Sequence, residues 1–193
     1  MLTGNKVTLT PAEIKDKEAI YQWCFHSETT KYHSGPPSYP NAPIATEAEF
    51  FEDYQEYYFT GAQPQNGRGF LILHAGEPIG FISYSSFHLK DGIAELDIWL
   101  NREIHCGKGF GTDAIVTLGD HLHETFGIQK LMMRPSRKNI AAVKSYEKAG
   151  FTQSSQDLAD YLLEEYLALY AEGDYGAEET VTLIKTFPST ALS

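Results

Sequence analysis

Cysteine is scarce in this chain: Cys24 and Cys106 are the only two among 193 residues, and they stand in no paired spacing. A disulfide framework or a zinc ribbon needs more thiols at repeated intervals, so neither is expected, and a reducing cytoplasm is the expected compartment. Long hydrophobic runs are missing as well. None approaches the ~18 residues of a membrane span, so no membrane partner is expected. The opening MLTGNKVTLT has neither the basic start nor the apolar block of a secretory signal. Positive charge is the third shortage: 15 Lys and Arg face 26 Asp and Glu, a formal net charge of −11. Such a field repels phosphate backbones, and no basic patch along the sequence overrides it. Nucleic acid is therefore not an expected partner, whereas cationic small molecules would be drawn in. His121 and His123 lie two apart in a helical pattern and point to different faces, so no metal is expected there.

What is present suffices for a core. Hydrophobic residues make up 42% of the chain, no linker divides it, and residues 1–193 are expected to form one domain. KVTLT (6–10) alternates like a strand, and Pro11 suits the first turn of a following helix. Four prolines mark 33–45 as a loop, and Thr46 with Glu49 forms a capping box that opens a helix over 46–59. From residue 69, GFLILHA, PIGFISYSSFHL and IAELDIWLN read as three antiparallel strands joined by turns at Gly76-Glu77 and Asp91-Gly92. A helix over 112–126 stops near Gly127, and KLMMRPS is a buried-type strand. Asn139 caps a helix that Gly150 ends. A short strand at FTQSS, a helix over 156–172 and a last strand over 179–187 complete an α+β pattern of about seven strands in a mixed central sheet.

HCGKGFGTDAI (105–115) sets Gly107, Gly109 and Gly111 at alternate positions between a strand and a helix. The first amides of a helix lack internal partners and its dipole makes that end positive, so bare backbone there suits a phosphate, with Lys108 adding charge. Gly109, Gly111 and Ala114 also match the loose dinucleotide pattern GxGxxA, although a doubly wound fold would open with that motif. A Walker loop is excluded, because no GxxxxGK[ST] occurs.

The stretch AELDIWLNREIHCGKGFGTDAI, followed by RPSRKNIAAVKSYEKAGF, resembles the GNAT superfamily of acetyl-CoA-dependent N-acetyltransferases from about Gly69 to Phe151. The resemblance implies that acetyl-CoA is the co-substrate. Its pyrophosphate would lie on the backbone of Gly107, Lys108, Gly109, Phe110, Gly111 and Thr112, with Cys106 standing where the family carries Gln or Arg. It also implies that the main chain of Ile98, Trp99 and Leu100 pairs with the pantetheine arm, that the Asn139 side chain meets the coenzyme, and that the Tyr146 hydroxyl lies near its sulfur. Direct transfer in this superfamily needs no covalent intermediate, so neither cysteine is an expected nucleophile.

N-acetylation requires a neutral amine, although an alkylamine of pKa ~10.4 is almost wholly protonated at pH 7. A base must therefore take a proton, and a hydroxyl donor helps the thiolate leave. Tyr146 is the expected donor; it follows Asn139 by two helical turns and shares its face. Glu95 and Asp97 project from one face of a strand, and either of them, or a water they activate, is the candidate base. In the aminoglycoside 6′-N-acetyltransferases that this stretch resembles, an Asp at the position of Asp97 lies by the acceptor amine, while Arg134 stands where they carry a second acid. The expected acceptor is thus a primary amine of a cationic small molecule such as an aminoglycoside. The strand ELDIWLN also resembles acetyltransferases of ribosomal-protein N-termini, the alternative reading. Specificity is expected from 34–45, 46–59 and 156–172, and the protein is expected to be a monomer or homodimer.

Overall fold

The computed structural model describes residues 1–33 and 43–188, so most of the proline-rich segment 34–45 lies outside the described residues. A short hairpin, β1 (Leu2–Thr3) and β2 (Thr8–Pro11), precedes α1 (Lys17–Phe25) and α2 (Thr30–His33). α3 (Glu47–Asp53) and α4 (Tyr57–Thr60) lead into the meander β3 (Gly67–His74), β4 (Glu77–Ser85) and β5 (Ile93–Leu100). Then come α5 (Phe110–Phe126), β6 (Lys130–Met133), α6 (Ile140–Lys148), β7 (Thr152–Gln153), α7 (Leu167–Tyr170) and β8 (Leu183–Thr186).

The eight strands form one sheet in the order β1-β2-β3-β4-β5-β6-β8-β7, one strand more than the sequence suggests, because two-residue β1 carries no periodic signal. Every neighbouring pair is antiparallel except β5 with β6. That parallel contact runs only from Ile93↔Lys130 to Glu95↔Met132. Beyond Glu95 the two strands part, which leaves one edge of 96–100 without a neighbouring strand among the described residues.

The two faces of β5 separate two cores, as the period of two requires. Ala94 and Leu96 pack with Ile82 against Ala114, Ile115, Leu118 and Leu122 of α5. On the other face, Trp99 joins Phe81 in an aromatic cluster with Tyr21, Phe50, Tyr58 and Phe59 from α1, α3 and α4. Glu95 and Asp97 share this second face and open into the cleft beside it. Among the described residues, no helix is long and apolar enough to cross a membrane.

Four sequence expectations are corrected. The capping box at Thr46 and Glu49 forms, yet the helix over 46–59 breaks at Tyr54 (φ −86°, ψ 72°). Its ring turns inward to stack on Phe50 at 4.9 Å and to meet Tyr58 at 5.2 Å and Phe81 at 5.7 Å. Helix propensity differs by tenths of a kcal/mol per residue, whereas burying a large apolar side chain contributes ~1.5–3 kcal/mol, so packing wins. The segment 156–172 is likewise no continuous helix. Two 3-10 turns, Leu158–Asp160 and Glu164–Tyr166, flank buried Tyr161 and Leu162, and Leu162 pairs with Leu89 in an antiparallel bridge. The last strand contracts from 179–187 to Leu183–Thr186, and Pro11 ends β2 instead of opening a helix.

Candidate active site

β5 delivers the chain through a 3-10 turn, Glu103–His105, into the glycine loop and then into α5. The glycines differ in kind. Gly107 (φ 72°) and Gly109 (φ 82°) are left-handed, a conformation that side chains rarely adopt. Gly111 needs no such freedom, and a Cβ there would meet only Ile98 Cδ1 at an ordinary 3.7 Å. Glycine inside a helix costs about 1 kcal/mol relative to alanine, and nothing in the protein requires it at 111. The space left bare there suits a group that approaches the first turn of α5 closely. The unpaired first amides, the Lys108 ammonium and the bare surface at Gly111 suit a pyrophosphate. Cations gather here despite the overall acidity. His105 is held below its ordinary pKa by burial and then by Arg102, Lys108 and His74, against the opposing charge of Glu28. Burial and Glu103 hold the Cys106 thiol above its ordinary value, so it keeps its proton.

Several residues expected at the coenzyme spend their side chains on the protein. Phe110 is buried, with its ring 4.2 Å from that of His74. Trp99 lies in the aromatic core, and Thr112 Oγ1 meets Ser145 Oγ of α6 at 3.1 Å. Asn139 Oδ1 accepts from the Ala142 amide at 3.1 Å as the helix cap, while its Nδ2 donates to the Tyr32 carbonyl. Thr29 Oγ1 donates to the Leu100 carbonyl. What these positions retain for a ligand is backbone: the open edge of β5 near Ile98 and the amides at the start of α5.

The cleft on the other face of β5 has a volume of about 460 Å³. Asp53, Glu95, Asp97 and Asp174 face a single guanidinium, Arg134, among aromatic walls that include Tyr54, Phe87, Trp99 and Tyr170. His33 also lines it; burial pushes its pKa down to about 4, so it carries no charge at neutral pH. The two candidate bases fare differently. Glu95 Oε1 accepts from Arg134 Nε at 2.5 Å, and Glu95 Oε2 accepts from Arg134 Nη2 at 2.9 Å and pairs with His88 Nε2 at 2.8 Å. Burial opposes its ionisation, but Arg134 and His88 prevail and hold its carboxyl below the usual range. Among the described residues no cation is ion-paired with Asp97; Tyr54 Oη donates to its Oδ2 at 2.7 Å. Although open to the cleft, Asp97 is hemmed in by protein on its other sides. Burial pushes its pKa up to about 6, with Asp174 and Glu95 adding to the rise and Tyr54 moderating it.

Tyr146 and Asn139 both line the cleft, as their two-turn spacing implies. Burial first, then the charge of Asp97 and the nearby Tyr175, raise the Tyr146 phenol well above its ordinary pKa, so it remains a donor. Sequence reasoning misses Tyr54, Tyr175 and Asp174 as individuals. Asp53 and Tyr54 lie inside the acidic aromatic stretch 46–59, but no local pattern distinguishes them from their neighbours. Asp174 and Tyr175 lie in a turn beyond the expected 156–172.

A parallel pair that opens beside a glycine loop, with a carboxylate and a protonated phenol on the adjoining cleft, is an arrangement suited to acetyl transfer from a phosphate-bearing thioester to an amine. Residues 6–152 match the Acetyltransferase (GNAT) domain family, and the chain belongs to it. Among curated proteins, it is 27% identical over 160 residues to aminoglycoside N(6′)-acetyltransferase type 1 of Klebsiella pneumoniae, covering 77% of this chain and 75% of that one. It is 28% identical over 85 residues to the spermine/spermidine N(1)-acetyltransferase of Bacillus subtilis (42% and 56% covered). Among solved structures, AAC(6′)-Ib in complex with ribostamycin and coenzyme A superposes with a TM-score of 0.68 at 22% identity, covering 98% of this chain and all of that one. At this identity, the likeness in structure speaks to the fold.

Proposed function

We propose that this enzyme acetylates a primary amine of a cationic small molecule, of the aminoglycoside or polyamine kind. The observation that carries the reading is the charge of the cleft among the described residues: four carboxylates to one guanidinium, and that guanidinium is bound through both Nε and Nη2 by Glu95. Arg134 therefore does not make the cleft a site for anions. The activities named for the relatives from Klebsiella pneumoniae and Bacillus subtilis agree with it.

Acetyl-CoA supplies the acetyl group as an activated thioester. Gly107, Lys108, Gly109, Phe110, Gly111 and Thr112 hold its pyrophosphate through their amides, Lys108 adds its charge, and the β5 backbone at Ile98 flanks the arm. Asp97 is the base. Poised near 6, it is ionised at neutral pH and takes a proton from the acceptor ammonium, directly or through a water, while the amine nitrogen attacks the carbonyl carbon. Glu95 is unsuited to that role, since both its oxygens are engaged by Arg134 and His88. Tyr146 donates from its hydroxyl to the departing sulfur as the C–S bond breaks, and the second proton lost by the amine nitrogen restores the phenol, directly or through a water.

A panel of aminoglycosides, polyamines and peptides, read by release of free thiol, tests the acceptor class. Turnover of the polyamines or aminoglycosides is expected, with acceptor KM rising with salt as the Debye length contracts from ~10 Å at 0.1 M to ~3 Å at 1 M. Efficient, salt-indifferent acetylation of neutral peptide N-termini would overturn the reading. Tyr146→Phe is expected to lower turnover by ~10²-fold or more with little change in coenzyme affinity. A rate near wild type, with chemistry limiting, would leave Tyr146 a packing residue.

A further inference from the structure

We infer that Lys6 is a positioning residue for coenzyme binding, which holds the Lys108–Gly109 peptide in the orientation that presents its amide to an anion. The inference rests on the reading that the loop over 107–112 takes the pyrophosphate.

Lys6 sits in the turn between β1 and β2, far from the loop in sequence, and Asp113 in the first turn of α5 brings the two together. Asp113 Oδ2 accepts from the amides of Lys6 at 2.7 Å and Val7 at 3.0 Å, and Oδ1 accepts from the amide of Asn5 at 3.1 Å. A carboxylate in that first turn would ordinarily complement its own helix end and oppose a bound phosphate. Here it is buried and satisfied by three amides of another segment. The fit is close: a Cβ on Gly4 would fall on Asp113 Oδ2 and Thr117 Oγ1. His74 Nδ1 lies 3.0 Å from the Lys6 carbonyl, a contact on the opposite side of the turn.

With its backbone fixed at this point, Lys6 extends its ammonium to the Lys108 carbonyl at 2.8 Å. Its Nζ stands 2.9 Å from where a Cβ of Gly109 would be. Lys108 lies between two left-handed glycines, the backbone positions with the most freedom to reorient. A trans peptide is planar, with its C=O and N–H pointing opposite ways. Fixing the Lys108 carbonyl toward Lys6 therefore fixes the Gly109 N–H away from it. The Lys6 charge works through the loop, and the loop meets the ligand.

The test is calorimetric titration of the full chain with acetyl-CoA, alongside thermal melting. Lys6→Met is expected to weaken binding by about five- to tenfold, as for loss of one exposed charge-assisted hydrogen bond, with Tm unchanged. Lys6→Arg is expected to restore most of the affinity, and the salt dependence of Kd is expected to keep its slope in Lys6→Met. Wild-type affinity in Lys6→Met would overturn the inference. So would a loss that tracks a lowered Tm and is not rescued by arginine, or a shallower salt slope, which would make Lys6 a direct phosphate ligand. Gly111→Val separates this inference from the reading beneath it. That variant is expected to lose acetyl-CoA affinity on the order of a hundredfold while remaining folded. If it binds as wild type, the loop is not the pyrophosphate site and both fall. If it loses binding while Lys6→Met does not, only the role of Lys6 falls.

Discussion

Two ends of one cleft hold carboxylates two residues apart on β5, and they have opposite characters. At the Glu95 end, His88 and Arg134 surround the acid with hydrogen bonds, and the Arg134 guanidinium sets its charge against the carboxylate. At the Asp97 end, the neutral hydroxyl of Tyr54 is the partner. Burial disfavours the charge of both. It is overcome at Glu95, where Arg134 and His88 hold the carboxylate, and prevails at Asp97, where hydrogen bonds from Tyr54 and the Ile98 backbone do not offset it. A strand carboxylate becomes a structural ion pair or stays free to titrate according to what packs opposite it.

The sharpest way to break this contrast is Asp97→Asn. Loss of the base is expected to lower kcat/KM by ~10²–10⁴-fold, with acetyl-CoA affinity measured by calorimetry unchanged. The same change should raise Tm modestly. An acid whose folded pKa of about 6 lies above its unfolded value favours the folded state less as pH rises from ~4 to ~6, and the amide removes that penalty. A variant that keeps wild-type turnover would remove Asp97 from the chemistry.

Glu95→Gln probes the other end. It takes from the buried Arg134 guanidinium its two-point partner and leaves only Asp174, at 3.9 Å, as a paired carboxylate, at an expected cost of about 2 kcal/mol in denaturant unfolding, while turnover per folded molecule falls by less than about tenfold. A variant as stable as wild type, yet inactive, would exchange the roles assigned to the two acids.

The smallest expected effect belongs to Tyr54→Phe. Removing a hydrogen bond that lowers the Asp97 pKa should move the acidic limb of the kcat/KM profile upward from about pH 6, with turnover at pH 8 changed by less than about tenfold. An unmoved limb would mean that another group sets it.

The glycine-loop side is largely legible in the amino-acid order. Asn139 caps α6, Gly127 closes α5 in a left-handed turn, and the strand, glycine loop and helix follow one another as their local patterns predict. These features depend on neighbours within a turn or two. The three loop glycines look alike in sequence and differ in the fold: Gly107 and Gly109 are required by backbone conformation, and Gly111 alone offers space that the protein does not need. The cleft side is legible only as a region. Tyr54 has the pattern of a continuous helix, and its break follows from a sheet surface of Phe81 and Trp99 that no window around residue 54 contains. Lys6 carries no sequence signal at all, since its partners are Asp113 and Lys108.

By itself, then, the amino-acid order determined the strand and helix succession, the superfamily and the place of the glycine loop, because hydrophobic period, caps and glycine conformations act locally along the chain. Tertiary structure alone decided which of two equivalent strand carboxylates is left to titrate near neutrality, how Arg134 is neutralised, and what holds the loop. Burial and counter-charge are contributed by residues such as His88, Arg134 and Asp174, which meet Glu95 and Asp97 only once the sheet has closed around the cleft.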